Sequence, residues 1–286
     1  MNNMDNLNSY EDVENLSRFS PDSFGKYCRL KLETCKEDRQ FIIDHCYHGK
    51  KMRVCEIGSG NSKLLYSLDF EGVIDTAVGY EVSKNRWRFA EKFKKWLLES
   101  RWGEIGGGGR NCENRNENVL DSVTTEVFDL IIAVDIVTQF IVNLYDDAEN
   151  DYFTWISNHL SSNGYAFFEL QSFSNEMDCI KKGNRPYSWW EEFPLDDPFQ
   201  YGLYSMVLDQ DENIVYKKLF YERRTKEFSG FKDVITPYSA EAFLKKLKQY
   251  DMEGEVFYSY REPGDLDKKL YLVLARKREE KNERIL

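Results

Sequence analysis

Long apolar runs are missing from this 286-residue chain. None approaches the roughly 18 to 20 residues that crossing a bilayer demands, so no membrane partner is expected. The N-terminal stretch MNNMDNLNSYEDVEN is polar and acidic, with no apolar centre of the kind a secretory signal needs. Prolines number six, too few to mark a long linker, and no internal repeat is visible. Excess positive charge is also lacking. The net charge of −11 works against a polyanionic partner, so no nucleic acid is expected. The six cysteines, at 28, 35, 46, 55, 112 and 179, form no CxxC pair. A chain long enough to bury a full core has no need of a disulfide framework, so they read as free thiols in the cytoplasm. Only three histidines occur. His159 falls in an amphipathic helix facing away from any site, and DHCYHGK spaces His45, Cys46 and His48 too tightly for zinc.

What is present is a rhythm of strands and helices. Pro21 opens helical spacing that runs to His48. MRVCEI reads as a buried strand and SKLLYSL as the helix after it. TAVGYE is a second strand, and Ser83 caps a helix whose Trp87, Ala90, Phe93, Trp96 and Leu97 share a face. A polar, glycine-rich excursion (GEIGGGGRNCENRNE) holds a short strand near its end. FDLIIAV, the helix DYFTWISNHL and GYAFFELQ follow. Such alternation predicts a parallel sheet covered on both faces. Residues 172–200 read as irregular and aromatic. GLYSMVL and NIVYKKLFY, separated by DQDE, read as a β-hairpin. A helix from Ser239 and two strands, EVFYSYRE and KLYLVLARK, close the pattern, and KREEKNERIL reads as a solvated tail.

The turn EIGSGNS (56–62) carries the most chemistry. Two glycines between strand and helix let backbone N–H groups approach a ligand. A dinucleotide fingerprint needs a third glycine where Lys63 stands, and no P-loop is present. With Glu56 two residues before Gly58, the turn resembles the first motif, [DE]xGxGxG, of the class I S-adenosylmethionine-dependent methyltransferases, with Ser62 in place of the last glycine. GYEVSKNRWRFAEKF is similar to the family's second motif, ENVLD to its third-strand segment and FDLIIAVD to its fourth strand. LSSNGYAFFELQ resembles the helix end, glycine turn and fifth strand.

The resemblance implies a Rossmann-like α/β fold: a seven-stranded, mostly parallel sheet with an antiparallel last strand. It also implies an N-terminal helical lid (1–49), a methyltransferase domain (50–286) and a hairpin-containing, substrate-side insertion after strand five (172–235). S-adenosyl-L-methionine is the implied cofactor, held by Glu56, Gly58, Ser59, Gly60, Glu81, Asn118, Val119 and Asp135. Glu81 is placed to accept from the ribose hydroxyls, since two carboxylate oxygens suit two adjacent donors.

The acceptor is expected to be a small molecule, sugar-like or natural-product-like, methylated at oxygen or nitrogen. The [DNS]PP[YF] motif for planar exocyclic amines is absent, because DIVTQF follows FDLIIAV. Asp135, Asp146, Asp147, Asp196 and Asp197 offer oxygen ligands, but the Asp-Asn pair of cation-dependent catechol-type enzymes is missing, so no metal is expected. Glu169 and Asp135 are the candidate catalytic groups; Trp189, Trp190, Tyr201 and Arg223 are the candidate acceptor-binding residues. Alternatives left open are a non-catalytic S-adenosylmethionine-binding subunit or sensor, and an RNA or protein methyltransferase using a basic groove around Lys92, Lys94 and Lys95. A homodimer is compatible with all three.

Overall fold

The computed structural model describes residues 14–99, 108–193, 195, 199–258 and 270–277. The acidic N-terminal run up to residue 13, part of the glycine-rich excursion, Asp196, Asp197 and most of the charged tail lie outside them.

Two helices come first, α1 (Pro21–Thr34) and α2 (Lys36–Cys46). Ser20 caps α1 by accepting from the Ser23 N–H, with Pro21 at the first helical position, where the missing N–H costs nothing. The main sheet then builds from β1 (Met52–Ile57), β2 (Ile74–Tyr80), β3 (Cys112–Arg115), β4 (Phe128–Ala133), β5 (Leu160–Gln171), β10 (Met252–Phe257) and β11 (Leu270–Lys277). Their spatial order is β10-β11-β5-β4-β1-β2-β3. Pairing is parallel from β3 to β5, and β11 runs antiparallel to both its neighbours. The crossover helices are α3 (Lys63–Phe70), α4 (Lys84–Glu99) and α6 (Ala148–His159), with a short α5 (Val137–Ile141) after β4.

The period-2 geometry of a strand explains the two cores. Cys55, Ile57, Ile131, Ala133, Ala166 and Phe168 face Tyr152, Phe153 and Ile156 of α6 and Phe243 and Leu247 of α8 (Ala240–Gln249). Val54, Leu130, Ile132 and Phe167 face α1–α4 through Phe24, Ile42, Leu65 and Phe93. Helices α1 and α2 are therefore half of the covering of one sheet face.

The expected hairpin is present as β7 (Phe199–Leu208) and β8 (Ile214–Glu222), joined by a turn in which Asp209 Oδ1 accepts from Asp211 and Asn213 N–H groups. It is not alone. β6 (Tyr187–Glu192) adds to one edge and β9 (Phe228–Ile235) to the other, giving a four-stranded antiparallel sheet, and α7 (Ser174–Gly183) occupies residues expected to be irregular. Gln139 of α5 fixes this second sheet to the first. Its side chain donates to the carbonyls of Gln171 and Thr236, each at 2.9 Å, and accepts from the Gln171 N–H at 2.8 Å. The second sheet thus stands over the carboxyl ends of β4 and β5, where α/β sheets bind their ligands.

Candidate functional site

β1 ends at Ile57, and the chain turns through residues 58–62 into α3. Gly58 has φ +65°, and a Cβ there would lie 2.4 Å from Val137 Cγ2; only glycine fits. Gly79 on β2 serves the same turn from the side, since a Cβ there would sit 2.7 Å from Ser59 Oγ. Ser62, in the place of the family's last glycine, adopts φ +58° and anchors itself by donating to Asn114 Oδ1 at 2.7 Å.

Parallel pairing of β1 with β2 sets Ile57 beside Tyr80, so Glu81 emerges next to the turn. Its buried carboxylate accepts from the Gly60 N–H (2.8 Å) and the Ser83 N–H (2.7 Å). Asn116 brackets the segment by donating to the carbonyls of Glu81 and Val82. Val82 is 67% exposed beside that carboxylate, an apolar surface that the sequence reading did not single out. Asn118 Oδ1 accepts from the Leu120 N–H and so caps the turn that starts with buried Val119.

Glu56 lies deeper, 3% exposed between β2 and β4. Burial pushes its carboxyl from the ordinary 4.5 up to about 8, against the nearby Lys63 charge. Its Oε2 has no hydrogen-bond partner among the described residues. A buried oxygen without a donor calls for one from a bound molecule or water.

Past β4 the backbone turns left-handed at Asp135 (φ +55°) and Ile136 (φ +56°). Glu169, at the end of β5, holds this turn by accepting from the Asp135 N–H at 2.8 Å. The Asp135 carboxylate itself is largely exposed, 4.0 Å from Lys63 Nζ. Glu56, the glycine turn, Glu81, Asp135 and Glu169 are therefore brought to one end of the main sheet.

The acceptor-side expectations divide. Trp189 faces inward and stacks on Tyr204, centroids 4.8 Å apart and planes at 10°. Trp190 and Tyr201 lie on the outer face, where with Leu203, Tyr221 and Phe228 they line a hollow of about 490 Å³ open to solvent. Period-2 alternation sends adjacent tryptophans to opposite faces. Arg223 donates to the Phe193 carbonyl at 2.6 Å, tying the end of β8 to the end of β6.

Sequence reasoning passed over Glu14 and Arg86. Glu14 is 1% exposed, accepts from Asn61 Nδ2 at 2.6 Å and from the Tyr27 hydroxyl at 3.2 Å, and pairs with Arg86 Nε at 3.5 Å. Nothing in the acidic run around it marks this one carboxylate. The histidines have local partners: His45 and His159 bond carbonyls one helical turn back, and His48 contacts the Tyr165 hydroxyl. Among the described residues no group of three or more His, Cys, Asp or Glu side chains is placed to hold a metal ion, and no helix is long and apolar enough to cross a membrane.

No family model and no curated protein matches the chain in sequence. Solved structures do match its fold. The CcbJ methyltransferase of Streptomyces caelestis superposes with a TM-score of 0.65 at 12% identity, covering 85% of this chain and 89% of that one. An S-adenosylmethionine-dependent methyltransferase from Clostridium acetobutylicum gives 0.63 at 17% identity, over 85% and 91%. CalS10, an amino pentose methyltransferase from Micromonospora echinaspora solved with S-adenosylmethionine bound, gives 0.60 at 11% identity, over 91% and 98%. Strand order, antiparallel last strand, turn position and these superpositions agree: the chain has the fold of the class I S-adenosylmethionine-dependent methyltransferases.

Proposed function

We propose that this chain is an S-adenosylmethionine-dependent methyltransferase acting on a small, sugar-like or natural-product-like acceptor. The observation that carries the reading is the pair of acids at the glycine turn: Glu81 fixed by two backbone N–H groups beside the exposed Val82, and Glu56 buried with one oxygen unpartnered. The cofactor supplies an electrophilic methyl group on a sulfonium; the protein supplies alignment and exclusion of water. In this reading Glu81 holds the ribose hydroxyls and Val82 and Val119 flank the adenine, with Asn118 at its edge. Gly58, Ser59 and Gly60 give the backbone close approach, and Glu56 receives the cationic amino acid end. Glu169 positions the Asp135 turn, which borders the methionine end of the cofactor.

CalS10, itself an amino pentose methyltransferase, supports a small acceptor by likeness of fold. The lysines that an RNA-binding groove would use are engaged within the chain. Lys92 Nζ lies 4.5 Å from the Phe24 ring centroid, Lys94 donates to the Cys112 carbonyl, and Lys95 pairs with Glu99 at 3.7 Å. The six cysteines are free, five of them buried, which fits a reducing cytoplasm.

Calorimetric titration with S-adenosylhomocysteine tests the reading. Wild-type protein is expected to bind and Glu81→Ala to lose binding by at least about 10-fold, the loss of hydrogen bonds to a charged group. Absence of wild-type binding to both S-adenosylhomocysteine and S-adenosylmethionine would overturn it.

A further inference from the structure

The second sheet packs one face on α7 and on Ile136 and Phe140 beyond β4. Its other face leaves large apolar side chains in solvent: Trp190 is 64% exposed, Phe228 58% and Leu203 44%. Exposed apolar surface of this kind marks a site of interaction. The hollow there is lined by Trp190, Tyr201, Leu203, Tyr221 and Phe228, whose only polar atoms are the indole nitrogen and two tyrosine hydroxyls. A small-molecule site needs convergent polar groups to fix its ligand, and an open hollow so lined does not supply them. A broad apolar partner suits it better.

Strand pairing arranges this face in rows that cross β6, β7, β8 and β9. One row reads Trp190, Leu203, Leu219 and Gly230, and the next Ser188, Ser205, Lys217 and Lys232. On the other side of the tryptophan row, Tyr201 pairs with Tyr221. Among the described outward positions of the four strands, Glu192, at one corner, is the single acid. The acids that give the chain its net charge of −11 are thus kept off this face.

The pattern is complementary to itself. A two-fold axis laid along the strands, between β7 and β8, turns β6 onto β9 and β7 onto β8 while every row keeps its place. Trp190 then lies over the partner's Gly230, whose bare backbone leaves room for an indole. Leu203 meets the partner's Leu219, and Tyr201 meets the partner's Tyr221. Lys217 and Lys232 meet the partner's Ser205 and the partner's Ser188, two hydroxyls already joined at 3.2 Å within each chain. No lysine is set against a lysine. Matching of a patch with its own copy is what a two-fold interface requires.

The area is sufficient. Four strands about 4.8 Å apart, each giving about seven residues at about 3.4 Å, make a face of roughly 450 Å². Two copies then cover roughly 1,000 Å², the size at which specific interfaces begin. We propose that this outer face of the second sheet joins two copies of the chain, sheet on sheet, about that axis. The contact leaves the inward face and the glycine turn of each copy free, and cofactor binding plays no part in it.

Sedimentation velocity of the full-length chain tests the contact. Wild type is expected to run as a dimer at about 10 µM, the range of small specific interfaces. Leu203→Arg puts an unpaired charge from each copy at the centre and is expected to raise the dissociation constant at least about 100-fold. Because Leu203 is exposed within the chain, the variant should keep the wild-type circular dichroism and urea midpoint. The axis is tested separately with a short bis-maleimide, exposed Cys179 being replaced by serine throughout. Chains carrying Ser188→Cys mixed with chains carrying Lys232→Cys are expected to cross-link, and either kind alone far less, since the axis sets β6 over β9 and not over itself. A wild-type chain still monomeric at about 100 µM would overturn the proposal and leave the face to a ligand or another protein. A dimer that folded Leu203→Arg leaves intact would overturn it too, as would Ser188→Cys alone cross-linking as fast as the mixture.

Discussion

Replacing Glu56 by glutamine separates what the buried acid does for folding from what it does for binding. In the free protein the carboxyl is raised from 4.5 to about 8 by burial. A group raised in the folded state contributes stability that is fully present below its unfolded value and lost as pH rises through the folded one. Wild-type unfolding free energy should therefore fall between pH 4.5 and 8. At about 1.4 kcal/mol per pH unit the fall reaches about 5 kcal/mol from this residue. Glu56→Gln has no proton to lose, so this part of its stability curve is flat. Around pH 5 the variant is expected to be no more stable than wild type, and by pH 8 more stable by a few kcal/mol. Binding moves the opposite way. A cationic ligand end favours the ionised carboxylate, so wild type releases a proton on taking up S-adenosylmethionine near pH 7, visible as a buffer-dependent calorimetric enthalpy. The variant should release none from this site and bind about 10- to 100-fold more weakly, the worth of a hydrogen bond to a charged group. Urea unfolding at pH 5, 6, 7 and 8 reads the first effect. A variant with the wild-type pH slope, or with wild-type affinity and proton release, would refute the reasoning.

Two further substitutions probe the scaffold. Gly58→Ala places a methyl group 2.4 Å from Val137 Cγ2 at a φ of +65°, and is expected to cost about 3 kcal/mol in urea unfolding while abolishing S-adenosylhomocysteine binding. Adding Val137→Ala should restore the steric part of that stability and leave the left-handed strain. Gln139→Leu leaves the Gln171 and Thr236 carbonyls and the Gln171 N–H without their partner. It should cost about 3 kcal/mol and raise amide exchange along β9, with S-adenosylhomocysteine affinity changed by less than about threefold.

The main sheet was legible because its strands announce themselves locally. FDLIIA and MRVCEI are buried on both faces and read as nearly continuous apolar runs, as parallel strands must. The glycine turn was legible for a related reason: Glu56, Gly58, Gly60 and Glu81 fall within one strand–helix–strand unit, so their spacing is fixed by chain geometry. The second sheet was half hidden. β6 is partly exposed and spreads its aromatics over both faces, and FSGFKDVI carries a glycine and charges that blur any alternation. Trp189 and Trp190 could be recognised as a pair that splits, but which one turns inward depends on register with β7. Glu14 and Arg86 meet the turn only through tertiary structure, and no local pattern distinguishes them from solvated charges.

That hidden set also ties the glycine turn to the second sheet. The segment from Glu14 to Phe19 runs from the glycine turn to the second sheet. Glu14 is buried against Asn61 and Arg86, while Arg18 lies 4.9 Å from the Phe199 ring centroid and 3.5 Å from Glu222 of β8. The expected N-terminal lid thus resolves into two parts with different physics. Helices α1 and α2 bury Phe24, Cys28, Phe41 and Ile42 in the sheet's own core and open only when that core does. The short segment before them is held mainly by charged and polar contacts, with Phe19 packed on Phe24, Tyr27 and Phe89 as its apolar foot. Arg18 at one end and Glu14 at the other thus join β7 and β8 to the glycine turn.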